Sequence, residues 1–289
     1  MDGIIIINKP KGCTSHDVVY KVKKMLKEKV GHTGTLDPMA EGVLPLLIGK
    51  GTQCSKYLIN HDKKYQVMLK LGVKTDTADS EGKIIEEENV NEKILEENHV
   101  KETLSSFLGK QEQKPPMYSA IKVKGKKLYE YARKGQQIEV PTRKIEIYSI
   151  ELIKINKDEK TIEFVVKCSK GTYIRSLCED IAIKLGTIGY MKALKRLEVG
   201  EFKIKDSLTI EELEEKIIKN EKYLITIEEF FYNKKQIYLE EKDLIKFLNG
   251  VKLKNENTAD DIYRIYSQNK FIGIGRVEKE LLKRDIVLE

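Results

Sequence analysis

Gly31-His32-Thr33-Gly34-Thr35-Leu36-Asp37-Pro38 is the stretch on which the reading of this chain turns. Its glycines permit tight or unusual backbone angles, and its proline restricts the residue before it to extended conformations. One carboxylate is therefore held in a fixed direction among small hydroxyl side chains. Two readings are open at this point. Asp37-Pro38 is either an ordinary turn closing a loop, or a device that presents Asp37 as a nucleophile or general base.

Upstream of this turn, residues 3–8 read as a buried strand ended by Lys9-Pro10-Lys11-Gly12. Ser15 is placed to cap a helix whose apolar residues Val18, Val19, Val22, Met25 and Leu26 recur at helical spacing. Its lysines, Lys21, Lys23, Lys24 and Lys27, fall largely on the other faces, where they are either solvated or available to phosphate. Downstream, residues 40–48 are apolar but contain Gly42 and Pro45, which leaves their secondary structure open. Tyr65, Val67, Leu69 and Leu71 share one face of a strand. A tyrosine opening such a strand is more often core than catalytic.

Charge then alternates along the chain. Residues 75–82 form a polar loop, and residues 86–98 carry six glutamates against Lys93, so this segment is expected to face away from a polyanion. Between residues 110 and 134 the balance reverses to eight basic against two acidic residues, interleaved with Tyr118, Tyr129 and Tyr131. Cations for a phosphate backbone and rings for exposed bases are the makings of an RNA-facing surface. A solvated loop with packed tyrosines is the plainer reading. Pro115-Pro116 and Gly125 predict an irregular, projecting segment.

Strands are expected over residues 145–155 and 162–168, the second running into Ser169-Lys170-Gly171-Thr172-Tyr173-Ile174-Arg175. A helix with the stripe Leu177, Ile181 and Leu185 follows and stops at Gly186. Strand, glycine turn and helix entry can aim the Arg175 guanidinium at a carboxylate in a cleft. An unpartnered surface arginine fits the same residues. Residues 191–199 form a further strand candidate, Thr209 with Glu212 is a capping box, and a small β-rich module follows residue 225.

Composition narrows the function classes. The chain has 289 residues, 40% hydrophobic and 34% charged, with a formal charge of +7, which suits a polyanionic partner without requiring one. The apolar run from Ile4 to Ile7 is too short for a secretory h-region or a membrane span, so a soluble cytoplasmic protein is expected. Cys13, Cys54, Cys168 and Cys178 are scattered without a CxxC pair, and the four histidines include no HExxH. No bound metal is expected. The Gly-Lys pair at 49–50 has the wrong spacing for a phosphate loop.

Five segments in order resemble the bacterial tRNA pseudouridine-55 synthase family, TruB. They are Asn8-Lys9-Pro10-Lys11-Gly12, the turn at 31–38, Lys64-Tyr65 with Leu71-Gly72 and Thr75-Asp76-Thr77 with Asp79 and Gly82, Pro115-Pro116-Met117-Tyr118-Ser119-Ala120 with Lys122 and Gly125, and residues 169–175. The resemblance runs from Gly3 to about Val199 and more loosely beyond, where the chain is similar to a PUA domain. It implies an α+β fold. A pseudouridine synthase domain over residues 1–224 would be built on a mixed, mainly antiparallel sheet flanked by helices, with an RNA-contacting basic insertion near 105–140. A small β-rich PUA-like domain would occupy residues 225–289.

The same resemblance implies an activity and a site. Members isomerise uridine 55 in the T arm of tRNA to pseudouridine, cleaving N1–C1′ and rejoining the ribose through C5, without cofactor, metal or ATP. The essential aspartate falls on Asp37, the active-site tyrosine on Tyr65 and the arginine paired with the aspartate on Arg175. Tyr173 and Leu194 match the base pocket, and His32 matches a residue that assists flipping of the base. Lys64, Lys122, Lys124, Lys126, Lys127 and Arg133 are the RNA-binding cations expected, with loop shape supplying most specificity. Partners beyond tRNA are not expected, nor is a membrane, and the chain is expected to be a monomer. A synthase for uridines in another RNA and a tRNA-folding chaperone are the alternatives. Glu41 is a departure, since the family often has a small residue there; turned inward, it would set a second negative charge beside Asp37.

Overall fold

The computed structural model describes residues 1–136 and 138–288. β1 (Gly3–Lys9) leads into α1 (Ser15–Leu26), and β2 (Val30–His32) and β3 (Glu41–Ile48) bracket the glycine turn. A short α2 (Ser55–Leu58) precedes β4 (Lys63–Leu71), after which β5 (Val73–Thr75) and β6 (Ile84–Glu87) form a hairpin. α3 (Glu97–Ser105) and β7 (Gly109–Gln113) come next. The basic segment is more ordered than its prolines and glycine predict. It holds a hairpin of β8 (Lys122–Val123) and β9 (Lys126–Lys127), with Gly125 at positive φ in the turn, and then α4 (Leu128–Ala132).

β10 (Arg143–Asn156) and β11 (Thr161–Cys168) lead to α5 (Ile174–Lys184), β12 (Gly189–Val199) and β13 (Phe202–Lys203). The rest of the chain begins with α6 (Ile210–Ile218), β14 (Ile225–Thr226) and α7 (Ile227–Phe230). β15 (Gln236–Tyr238), α8 (Glu241–Leu248) and β16 (Leu253–Lys254) follow. β17 (Ile262–Ser267), β18 (Lys270–Glu278) and β19 (Leu281–Val287) close it.

Ten strands make one sheet in the order β14-β1-β3-β12-β4-β11-β10-β7, with β13 on β12 and β2 on β3. Every pairing in it is antiparallel except β3 with β12, so the sheet is mixed and mainly antiparallel. β1 reads as an unbroken apolar run because both its faces are covered. Ile5 and Ile7 pack with α1 and α6, while Ile4 and Ile6 pack with Val43, Leu47 and Phe231. The largest core lies where α3 and α5 cover β4, β10, β11 and β12.

The ambiguous segment at 40–48 is a strand. Gly42 takes φ +111° where β3 meets Arg196 of β12, and a Cβ there would collide with the backbone carbonyl of Arg196. Pro45 lies between the end of the β12 pairing and the start of the β2 pairing, where a residue lacking an N–H is tolerated.

A five-stranded sheet in the order β15-β17-β18-β19-β16 forms the C-terminal, β-rich domain. It has a core of its own around Phe247, Ile265 and Leu282, yet Ile274 and Ile286 join the cluster of Ile4, Ile6, Val43 and Leu47. Asp285 is nearly buried at this seam, bonded by Lys56 and Tyr57 of α2, with Arg276 Nη2 3.8 Å away. Among the described residues, no helix is long and apolar enough to cross a membrane.

Candidate active site

The turn at 31–38 is pinned from outside by groups that take its backbone atoms. Ser15 Oγ accepts from Leu36 N at 2.9 Å and donates to Leu36 O at 3.1 Å. Ser15 is therefore not the helix cap; Thr14 is, in a capping box with Asp17. Lys9 is fully buried and spends its Nζ donors on the carbonyls of Pro10, Cys13 and Pro38, at 2.9, 2.6 and 3.4 Å. Burial pushes its pKa down. Gly12 N also donates to Pro38 O at 2.9 Å, and Arg196 Nη2 donates to Gly34 O at 2.8 Å. Ala40 N closes a tight turn on Asp37 O at 3.0 Å. A loop whose carbonyls and amides are committed in this way holds its one acid still.

That acid faces a cavity of about 460 Å³ whose wall includes Asp37, Tyr65, Tyr173, Arg175 and Leu194. These five came from four separate segments of sequence, and the structure brings them together. Volumes of this order suit a small planar ligand group. Leu36, Met191 and Ile174 add apolar wall, and Tyr118, Ser119, Ala120 and Tyr129 close one side from the basic segment.

Arg175, at the start of α5, has a side chain only 10% exposed, whereas Asp37 is 37% exposed. Nη2 lies 3.2 Å from Asp37 Oδ2 and donates to Tyr118 O at 3.1 Å. Nη1 lies 3.4 Å from Asp79 Oδ2 and donates to Thr77 O at 3.2 Å. Asp79 is held in turn by Thr77 Oγ1 and Glu81 N, at 2.6 and 3.1 Å. The guanidinium thus joins the Asp37 turn, the loop at 77–79 and the segment at 118. Gln113 fixes the entry to α5, taking a hydrogen bond from Tyr173 N at 2.8 Å and giving one to Tyr173 O at 2.9 Å.

Tyr65 heads the buried face of β4 and lies opposite Arg196 of β12. Burial raises its hydroxyl above the ordinary phenol range, and the Arg196 guanidinium opposes that rise. Glu41 does not turn inward: its Oε1 lies 3.3 Å from Lys195 Nζ, outside the cavity.

His32 and Lys64 do not line the cavity. His32 sits on β2 with Nδ1 buried and unpartnered, its pKa lowered by burial and by Arg196. Lys64 lines a neighbouring cleft with His61, Lys63 and Lys167. Lys122, Lys124, Lys126 and Arg133 are exposed on the β8–β9 hairpin and just beyond α4. Lys127 Nζ and the Arg133 guanidinium each lie 5.3 Å from the Tyr129 ring centre, which connects this basic lip to the cavity wall.

Three site residues escaped the sequence reading. Asp79 reads in the sequence as polar loop, Ser119 as part of a matched segment, and Arg196 as one of three cations, with Lys192 and Lys195, on the strand candidate at 191–199. For Asp79 the signal is its own match beside Thr75-Asp76-Thr77; for Arg196 there is none.

Comparison with known proteins identifies the family. A model of the TruB family pseudouridylate synthase (N terminal domain) matches residues 22–174, and one of the tRNA pseudouridylate synthase B C-terminal domain matches residues 175–230. The chain is 48% identical over 282 residues to the tRNA pseudouridine synthase B of Clostridium kluyveri, covering 95% of each. It is 41% identical over 284 residues to that of Aquifex aeolicus, covering 98% of each. Among solved structures, an H/ACA RNP bound to a substrate RNA containing 2′-deoxyuridine includes a chain with TM-score 0.69 at 22% identity. The match covers 99% of this chain and 85% of that one, which speaks for the fold.

Proposed function

The chain belongs to the TruB family of pseudouridylate synthases, and we propose that it isomerises uridine 55 in the T-arm loop of tRNA to pseudouridine with Asp37 as nucleophile. It is an RNA-modifying isomerase, and tRNA is its substrate. The observation that carries the site reading is the meeting of Asp37, Arg175, Tyr65, Tyr173 and Leu194 around one cavity beneath a basic lip.

The chemistry follows from that geometry. The target base must leave the stack to reach Asp37, and the rings of Tyr65 and Tyr173 with the Leu194 side chain offer it apolar and stacking surface. Arg175 aims the Asp37 carboxylate, which either attacks C6 of the ring or takes up C1′ as the base departs. The uracil turns, C5 bonds to C1′, and the C5 proton leaves. Tyr65 is a hydroxyl-bearing residue of the cavity wall available to that transfer. The cations at Lys122, Lys124, Lys126, Lys127 and Arg133, with Lys64, would hold the T arm through its backbone, and His32 would assist the flipping of the base.

Residues 1–224 serve in this reading as the catalytic domain, with the segment near 105–140 as its RNA lip and residues 225–289 as a PUA-like RNA-binding domain. The protein would act as a cytoplasmic monomer. The test is incubation of unmodified tRNA with the purified protein, without nucleotide or added metal, followed by derivatisation that locates pseudouridine. Pseudouridine at position 55 is expected. Modification only elsewhere, or only in another RNA, would overturn the site assignment on tRNA.

A further inference from the structure

Arg196 is 1% exposed and has no carboxylate partner among the described residues. Buried guanidinium groups are ordinarily matched by a carboxylate, because an uncompensated buried charge is costly. Here Nε donates to Val43 O and Nη2 to Gly34 O, both at 2.8 Å; Tyr65 stands opposite it in the β4–β12 pairing, and the other ionisable groups that sense its charge, Lys9, His32 and Lys63, are basic. Gly34 belongs to the turn that carries Asp37, Val43 to β3 and Tyr65 to β4. A single buried cation therefore bonds to the nucleophile's loop and sits across the strand pair from the tyrosine of the cavity wall.

Resting on the function proposed above, we propose that Arg196 is a positioning residue for glycosidic cleavage, setting a fixed positive charge behind Tyr65 where the departing uracil gathers negative charge. When the N1–C1′ bond breaks, its electron pair stays on N1, so the base leaves as an anion spread over N1 and its carbonyl oxygens. The electron deficit at the sugar is met by the Asp37 carboxylate or by loss of a sugar proton. Arginine has donors only, so toward Arg196 the Tyr65 oxygen accepts and its own proton stays available to the base. Burial keeps that hydroxyl protonated near neutral pH. Charge fixed in a dry, preorganised site acts more strongly than the same charge in water.

A double-mutant cycle tests this, using single-turnover pseudouridine formation and tRNA affinity for the wild type, Arg196→Gln, Tyr65→Phe and the pair. Arg196→Gln is expected to slow the reaction roughly 10² fold with tRNA affinity nearly unchanged, and Arg196→Lys to recover part of the loss. Added to Tyr65→Phe, either Arg196 substitution should cost little more, because the charge acts through the hydroxyl. Losses that multiply would make Arg196 a strut of the turn and overturn the proposal. Arg196→Lys carries the cycle if Arg196→Gln does not fold. A wild type that forms no pseudouridine in tRNA would overturn the proposed function, and the role of Arg196 with it.

Discussion

Asp79 lies on the opposite side of Arg175 from Asp37, its Oδ2 3.4 Å from Nη1 and its side chain only 5% exposed. Arg175 thus spans a buried carboxylate and a half-exposed one, and the buried partner fixes where the exposed one can be met. Asp79→Asn keeps the shape and removes the charge. It should slow single-turnover pseudouridine formation by roughly 10–100 fold, with tRNA binding retained. An unchanged rate would show that Thr77 O and Tyr118 O orient Arg175 without help.

Asp37→Ala leaves Arg175 with Asp79 and two carbonyl acceptors, so the fold should persist. Pseudouridine formation should vanish while tRNA still binds, as read by nucleoside analysis and filter binding side by side. Turnover in this variant would remove Asp37 from the role of nucleophile.

Gly42→Ala combines positive φ with a Cβ driven into the Arg196 carbonyl. A loss of about 2–3 kcal/mol of stability is expected, seen as a lower denaturant midpoint with an unchanged m-value. Because Gly42 opens β3 beside Arg196, activity per folded molecule should fall as well. A midpoint equal to that of the wild type would mean that β3 and β12 separate more easily than their pairing implies.

Burial lowers the pKa of His32 and His61 from the ordinary value of 6.5. Below about pH 6.5 the unfolded chain binds protons that these histidines refuse in the fold, so the unfolded state holds more protons and stability falls on acidification. Above that pH both states are neutral at these sites and the penalty is absent. Thermal midpoints should be lower at pH 5.5 than at 7.5, and the slope should flatten in His32→Gln with His61→Gln. An undiminished slope in that double variant would place its origin elsewhere.

Much of the fold was legible because local rules suffice for it. The alternation of Tyr65, Val67, Leu69 and Leu71 marks a strand with one buried face, and Thr209 with Glu212 marks a helix start. The segment at 40–48 was not legible, since Gly42 is explained only by the backbone of Arg196, far away in sequence. Ser15 misled for a related reason: its hydroxyl left the helix end to Thr14 in order to hold Leu36. At the site, Asp37, Tyr65 and Arg175 could be named by resemblance to a family, but their meeting is a tertiary fact. Arg196 illustrates the remainder, for nothing distinguishes it from Lys192 and Lys195 until burial does.

The shared cluster at the seam bears on how the molecule comes together. Ile4 and Ile6 near one end of the chain complete their packing only against Ile274 and Ile286 near the other. Contacts of such long sequence separation make for slow, highly cooperative folding. β1, β3 and the C-terminal sheet should therefore melt in one transition, so a lesion in the last strands would cost catalysis at a site they do not touch.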